Sequence, residues 1–192
     1  MKKTLCIFLF FIGFSSFPQS AESLKTAAKK FHQAGYLMDF EAIASYSYPK
    51  MVEAVGNETF LENIEKQYEN ETFRLRLQLE TVPFQYGEIQ KIEGKLFCFI
   101  TCLNPMRYFF EAKLTPDAAA DNAAILKHTL NTNDVTFEPA RNSFNVKRKT
   151  TYVAIADENT NNQWRFFNFD DKRQYIDFYT IFGESIKKEL GL

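Results

Sequence analysis

Hydrophobic positions change their period near Thr72, which divides the chain into a helical part and an extended part. From Glu22 onward Leu24, Ala27, Ala28, Phe31 and Ala34 recur at helical spacing, with Lys25, Lys29, Lys30 and Gln33 opposite. This is the pattern of an amphipathic helix with one buried stripe. Gly35 weakens its end. Asp39 is placed to cap a short second helix over residues 40–45, and Pro49 to open another turn over 50–55, because proline is tolerated in the first turn. Gly56 stops that turn, and Asn57 is the expected cap of a longer helix carrying Phe60, Leu61, Ile64 and Tyr68 to about residue 70.

Beyond Thr72 the period is two. Phe73, Leu75, Leu77 and Leu79 alternate with Arg74, Arg76, Gln78 and Glu80, as in a strand with one wet face that Pro83 ends. A second strand, 88–92, meets a third, 95–103, across the compact turn Glu93-Gly94. In the third, Leu96, Cys98, Ile100 and Cys102 face one way and Phe97, Phe99 and Leu103 the other, so it reads as a central strand. Asn104-Pro105 is expected to break it, with a new extended run over 107–114. Thr115-Pro116-Asp117 then opens a helical segment, 118–130, and short strand pieces are expected at 135–137 and 144–146. The strongest hairpin signal follows: runs 151–156 and 163–169 flank Asp157-Glu158-Asn159-Thr160-Asn161-Asn162. In the second run Trp164 and Phe166 take one face and Phe167 and Phe169 the other, so both faces need a cover. Residues 172–190 return to helical spacing through Tyr175, Phe178, Tyr179, Phe182 and Ile186.

The N-terminus adds an address. Lys2 and Lys3 precede an apolar run of about ten residues, then Ser15, Ser16, Ser20 and Ala21, the layout of a secretory signal peptide over residues 1–21. The run is too short to span a bilayer comfortably, where ~20 apolar residues are needed. The expectation is a secreted or periplasmic protein with no stable membrane insertion after cleavage, and residues 22–192 as a single domain. The formal net charge of −1 becomes more negative once Lys2 and Lys3 are removed, so there is no basic field for nucleic acid, and Lys147-Arg148-Lys149 reads as a solvated strand end or turn. Cys98 and Cys102, four apart on one strand face, stand ~13 Å apart at ~3.3 Å per residue. A disulfide needs Cα atoms within about 7 Å, so both are expected to be buried free thiols.

Two stretches carry a family resemblance: Met38-Asp-Phe-Glu-Ala-Ile-Ala-Ser-Tyr-Ser-Tyr-Pro-Lys-Met-Val-Glu-Ala-Val-Gly56, and Tyr152-Val-Ala-Ile-Ala-Asp157 followed by Gln163-Trp-Arg-Phe166. With helices first, then an antiparallel sheet whose last hairpin carries a Trp, the chain resembles the NTF2-like superfamily of cone-shaped α+β domains. An Asp-Phe motif after the first helix (Asp39-Phe40), a Tyr-x-Tyr-Pro turn (Tyr46 to Pro49) and a late Trp-x-Phe strand (Trp164 to Phe166) recur in such relatives. The resemblance implies an α+β fold with N-terminal helices packed in a strongly curved antiparallel sheet. Domains of this kind host isomerases, dehydratases, binding modules and assembly domains, and the fold alone selects none of them. No catalytic residue carries over.

Candidate chemistry is sparse. There is no Gly-x-Ser-x-Gly elbow, His-Glu-x-x-His, Cys-x-x-Cys or phosphate-cradling glycine loop, and no cofactor or metal is expected. His32 and His128 lie far apart; His32, at the edge of the first helix's stripe, is expected to be partly exposed. Asp39 is assigned to capping ahead of any role as a buried acid. Tyr46, Tyr48, Tyr152, Trp164 and Phe166 are the pocket-lining candidates, phenols and rings that suit a small apolar ligand. The expected function is an exported, non-catalytic binding or interaction module holding such a ligand in the cone. One alternative is an isomerase- or dehydratase-type enzyme using an acid and a tyrosine in the same pocket. Another is a homodimer or larger homo-oligomer assembled through the outer face of the sheet.

Overall fold

Among the described residues four helices precede the sheet: α1 (Ala21–Leu37), α2 (Phe40–Tyr46), α3 (Pro49–Val55) and α4 (Asn57–Tyr68). Then come β1 (Phe73–Leu77), β2 (Gln85–Tyr86), β3 (Gln90–Ile92), β4 (Lys95–Phe110), α5 (Pro116–Thr129), β5 (Val135–Glu138), β6 (Ser143–Ala156), β7 (Arg165–Asn168) and α6 (Lys172–Glu189). These elements come from a computed structural model that describes residues 21–192; apart from Ala21, the signal peptide expected over residues 1–21 lies outside the described residues. The fold is α+β, with helices followed by a curved, open, seven-stranded antiparallel sheet.

Local chemistry explains most of the boundaries. Asp39 Oδ1 accepts from the Ala42 amide at 3.0 Å, and Thr115 Oγ1 accepts from the Ala118 amide at 3.3 Å, each satisfying a donor that the first helical turn leaves unpaired. Pro49 and Pro116 stand in first turns. Gly56, at φ 83°, both ends α3 and precedes α4, so Asn57 is the first helical residue rather than the cap. Glu93 and Gly94, at φ 48° and 79°, form the two-residue left-handed turn that matches strand twist, with Ile92 paired to Lys95.

The spine of the sheet is the β4–β6 ladder, which runs unbroken from Leu96 opposite Ala156 to Phe109 opposite Ser143. β1, β2 and β3 take turns along the other edge of β4, and β5 and β7 along the other edge of β6. Two expectations are corrected here. Asn104-Pro105 does not break the strand: the Pro105 carbonyl accepts from the Gln78 amide at 2.9 Å, just past the end of β1. Its missing N–H therefore faces the gap between β1 and β2, and the ladder to β6 loses nothing. Nor is Lys147-Arg148-Lys149 a strand end. It lies within β6, with Lys147 and Lys149 on the exposed face and Arg148 on the other. A third difference is at the C-terminus, where Gly183 at φ 73° divides α6 into two helical pieces.

Strand alternation separates the cores. One sheet face carries Cys98, Ile100, Tyr152, Ala154, Trp164 and Phe166 against Leu24 and Ala28 of α1. Further along that face Met106, Tyr108, Phe144 and Val146 pack with Ala119 of α5. The opposite face carries Phe97, Val153, Ile155 and Phe167 against Met51, Phe60, Phe178 and Phe182 from α3, α4 and α6. Phe167 meets Phe178 edge-on at 5.4 Å between centroids, and Phe178 meets Phe182 at 4.8 Å. Burying each such ring contributes about 1.5–3 kcal/mol. The last hairpin is thus covered on both faces, by α1 on one side and α6 on the other.

Candidate functional site

An open groove of about 430 Å³ lies between the first turns of α1 and the start of β7. Glu22, Ser23, Thr26 and Lys30 supply one wall, since three- and four-residue spacing puts them on one side of α1. Tyr46, Gln163, Trp164 and Arg165 supply the other. Tyr46 is set there by its neighbours: Ser47 bridges Phe166, and the Tyr48 amide donates to the Phe166 carbonyl at 3.2 Å. Trp164 is only 2 % exposed, and its indole Nε1 donates to Ser23 Oγ at 3.1 Å. Arg165 is half-buried, and donates from Nη1 to the Trp164 carbonyl at 3.1 Å and from Nη2 to Gln163 Oε1 at 3.0 Å. Burial holds its guanidinium pKa below the ordinary value, and nearby Tyr46 opposes that shift. Among the described residues no acid pairs with Arg165 or Lys30.

Beneath α1 lies a hollow of about 50 Å³, lined by Phe31, His32, Gly35, Tyr68, Leu77 and Tyr152 among others, about the share of two water molecules. Contrary to the sequence expectation, His32 is 2 % exposed, because the loop after β1 folds back over it and places the Leu79 carbonyl 3.0 Å from Nε2. That carbonyl can only accept, so Nε2 carries the proton and Nδ1 is left buried without a partner. Burial pulls the His32 pKa down, against the Leu79 bond. Burial likewise pushes the Tyr68 phenol up to about 12, and Tyr152 well above its usual value.

Farther along the same face lies a polar seam. Arg148 Nη2 is 2.7 Å from Asp170 Oδ2 without the alignment of a hydrogen bond, and the Thr151 amide donates to Asp170 Oδ1 at 3.3 Å. Asn104 Oδ1, Arg148 Nε and Thr150 Oγ1 are buried with no aligned partner. Burial raises the Asp170 carboxyl, while Arg148 and Thr150 pull against it. Such a half-satisfied network is the kind of place that ordered water completes.

The five candidate residues are thereby distributed over separate places. Tyr46 and Trp164 meet in the groove, Tyr152 lines the interior hollow, and Phe166 is buried in a stack on Phe31 with centroids 4.8 Å apart. Tyr48 is fully buried on the opposite sheet face, where it donates to Asp157 Oδ2 at 2.7 Å. Cys98 and Cys102 are free and buried, with burial pushing both thiols up to about 11, so neither is a ready nucleophile at neutral pH. Asp39 and His128 are exposed. Among the described residues no group of three His, Cys, Asp or Glu side chains gathers as a metal site, and no helix is long and apolar enough to cross a membrane.

No protein-family model, curated protein or solved structure matches this chain. The groove therefore stands on its own geometry. Sequence reasoning missed Arg165, Lys30, Thr26 and Glu22 in it. Thr26 and Lys30 share a helix face, a signal visible in the spacing, but nothing local says that this face meets the start of β7. Arg165 stood beside Trp164 in the sequence, yet only the fold reveals that no acid among the described residues answers it.

Proposed function

We propose that this chain is an exported, non-catalytic binding module of NTF2-like cone architecture, with its ligand seated in the groove between α1 and β7. The observation that carries the reading is the convergence of Tyr46, Trp164 and Arg165 on a space of about 430 Å³, against about 50 Å³ inside the cone. Ligand pockets for small molecules begin at about 300 Å³ and combine apolar walls with a few placed polar groups. The ligand is therefore small and amphipathic. The cone architecture is supported by the order of helices and curved sheet, and export by the Lys2-Lys3 start and its apolar run.

The chain's single tryptophan is Trp164, so its emission reports on the groove directly. A screen of small amphipathic compounds against the exported protein should find some that shift this emission saturably, and Thr26→Phe, which fills the groove, should abolish the response. A screen without any saturable shift counts against the reading.

Two other functions find less support. An isomerase or dehydratase needs an acid and a tyrosine in accessible space; Tyr48 and Asp157 form such a pair, but both are buried. Assembly through the sheet would use its uncovered part, where Leu103 is 55 % exposed opposite Lys149 and near Lys147. Stacking two copies there would bring like charges together, so sedimentation at micromolar concentration should give a monomer.

A further inference from the structure

We infer that the ligand of this groove is an anion, a carboxylate carried on a compact apolar body, and that Arg165 selects it. The inference rests on the groove reading above and adds the ligand's chemical class.

Charge balance is the first argument. The groove carries two cations, Lys30 and Arg165, and one acid, Glu22. None of these three is in an ion pair among the described residues. The lining side chains thus carry positive charge in excess, and the α-ammonium that cleavage after residue 21 leaves on Glu22 adds to it, so the groove favours an anion. A neutral ligand would leave that excess standing.

Geometry is the second. Arg165 spends one hydrogen on the Trp164 carbonyl and one on Gln163 Oε1. These bonds fix the plane of the guanidinium, and of its five N–H donors they leave the remainder for a ligand. A guanidinium held in this way matches the two oxygens of a carboxylate, which is the basis of bidentate recognition. Arg165 is also half-buried, so its charge acts through a lower effective dielectric than a surface lysine's and reaches an anion more strongly. Beside it stand the edge of the Trp164 indole and the half-buried Tyr46 ring, which give the apolar body somewhere to rest. Ser23, Thr26 and Gln163 line the polar rim.

The test is a titration of Trp164 emission with phenylacetate, its neutral isostere phenylacetamide, and phenyl phosphate. The carboxylate should bind about ten- to a hundredfold more tightly than the amide, the range expected of charge-assisted hydrogen bonds, and more tightly than the phosphate; added salt should weaken it. Arg165→Gln should erase the preference for the acid over the amide while circular dichroism stays unchanged. Lys30→Gln, at an exposed helix position that threatens no packing, should reduce the preference only in part. If acid and amide bind equally, or if Arg165→Gln keeps the preference, the groove reading stands and the carboxylate inference falls. Tighter binding of the phosphate also overturns the carboxylate assignment. If none of the three perturbs Trp164, the carboxylate inference falls with this compound class, and the broader amphipathic screen decides the groove reading separately.

Discussion

The phenol of Tyr48 donates to Asp157 Oδ2 at 2.7 Å, tying the corner between α2 and α3 to the end of β6 across 109 residues of chain. Asp157 also accepts from the Thr160 amide through Oδ1 at 3.1 Å, and Asn159 Nδ2 donates to both partners at 3.2 Å. Tyr48→Phe removes the closest of these donors from a buried carboxylate. It should lower stability by about 1.5–3 kcal/mol, measured as a fall in the urea midpoint with an unchanged slope. Asp157→Ala should cost more, since it also strips the acceptor from Thr160.

Gly35 and Tyr68 are coupled by contact. A Cβ on Gly35 would lie 2.7 Å from the Tyr68 hydroxyl oxygen and 3.4 Å from Leu77 Cδ1. In an open helix Gly→Ala gains about 1 kcal/mol; here Gly35→Ala should destabilise. Adding Tyr68→Phe takes away the clashing oxygen, so the double variant should be more stable than Gly35→Ala alone. Strictly additive free energies in the four-member cycle would refute the coupling.

His32 sets a pH dependence whose sign follows from its burial. Its folded-state pKa lies below the ordinary 6.5, so below that pH the unfolded chain binds a proton that the folded chain resists. Stability therefore falls as pH drops from 6.5 toward the folded value. Asp170 acts with the opposite slope: its raised pKa makes stability decline as pH climbs from 3.8 through the folded value. Urea midpoints taken across mildly acidic pH should show a component that His32→Gln removes. An identical pH profile for the two proteins would rule it out.

Asn142 holds a left-handed backbone at φ 48° while its side chain braces the chain leaving β4. Its Oδ1 accepts from the Leu114 amide at 2.9 Å, and its Nδ2 donates to the Phe110 and Ala112 carbonyls at 2.8 and 2.9 Å. Asn142→Gly keeps the backbone conformation and loses the three bonds, and should cost about 1–3 kcal/mol. Asn142→Ala adds strain at positive φ and should be worse than glycine, as equilibrium unfolding of the two variants would reveal.

What the sequence made legible was whatever local chemistry decides. Asp39 and Thr115 announce caps, Glu93-Gly94 a turn, and the alternation of Trp164 and Phe166 with Phe167 and Phe169 two buried faces, because each depends on neighbours within a few positions. Pro105 misled for the opposite reason. Whether a missing N–H matters depends on which strand it faces, and that is settled by where β1 happens to end. Lys147, Arg148 and Lys149 look like a solvated run until strand alternation sends Arg148 alone to the inner face, toward Asp170. The candidate site was half legible: aromatic composition pointed to Tyr46 and Trp164, but Tyr48, two residues from Tyr46, is directed to the other side of the sheet. Burial of His32 was invisible, since its cover comes from Leu79, 47 residues away.

The long β4–β6 ladder also governs the order of assembly. Its Phe109–Ser143 end is bridged by the segment holding α5 and β5, whereas its Leu96–Ala156 end closes a much longer loop. Loop-closure entropy grows with that length, and chains dominated by non-local strand pairs fold slowly. Refolding should therefore nucleate where Phe110, Phe137 and Phe144 meet and zip toward Ala156. Amides near the α5 end would gain protection first in pulsed hydrogen exchange, and the hairpin that builds the groove would be among the last parts to lock.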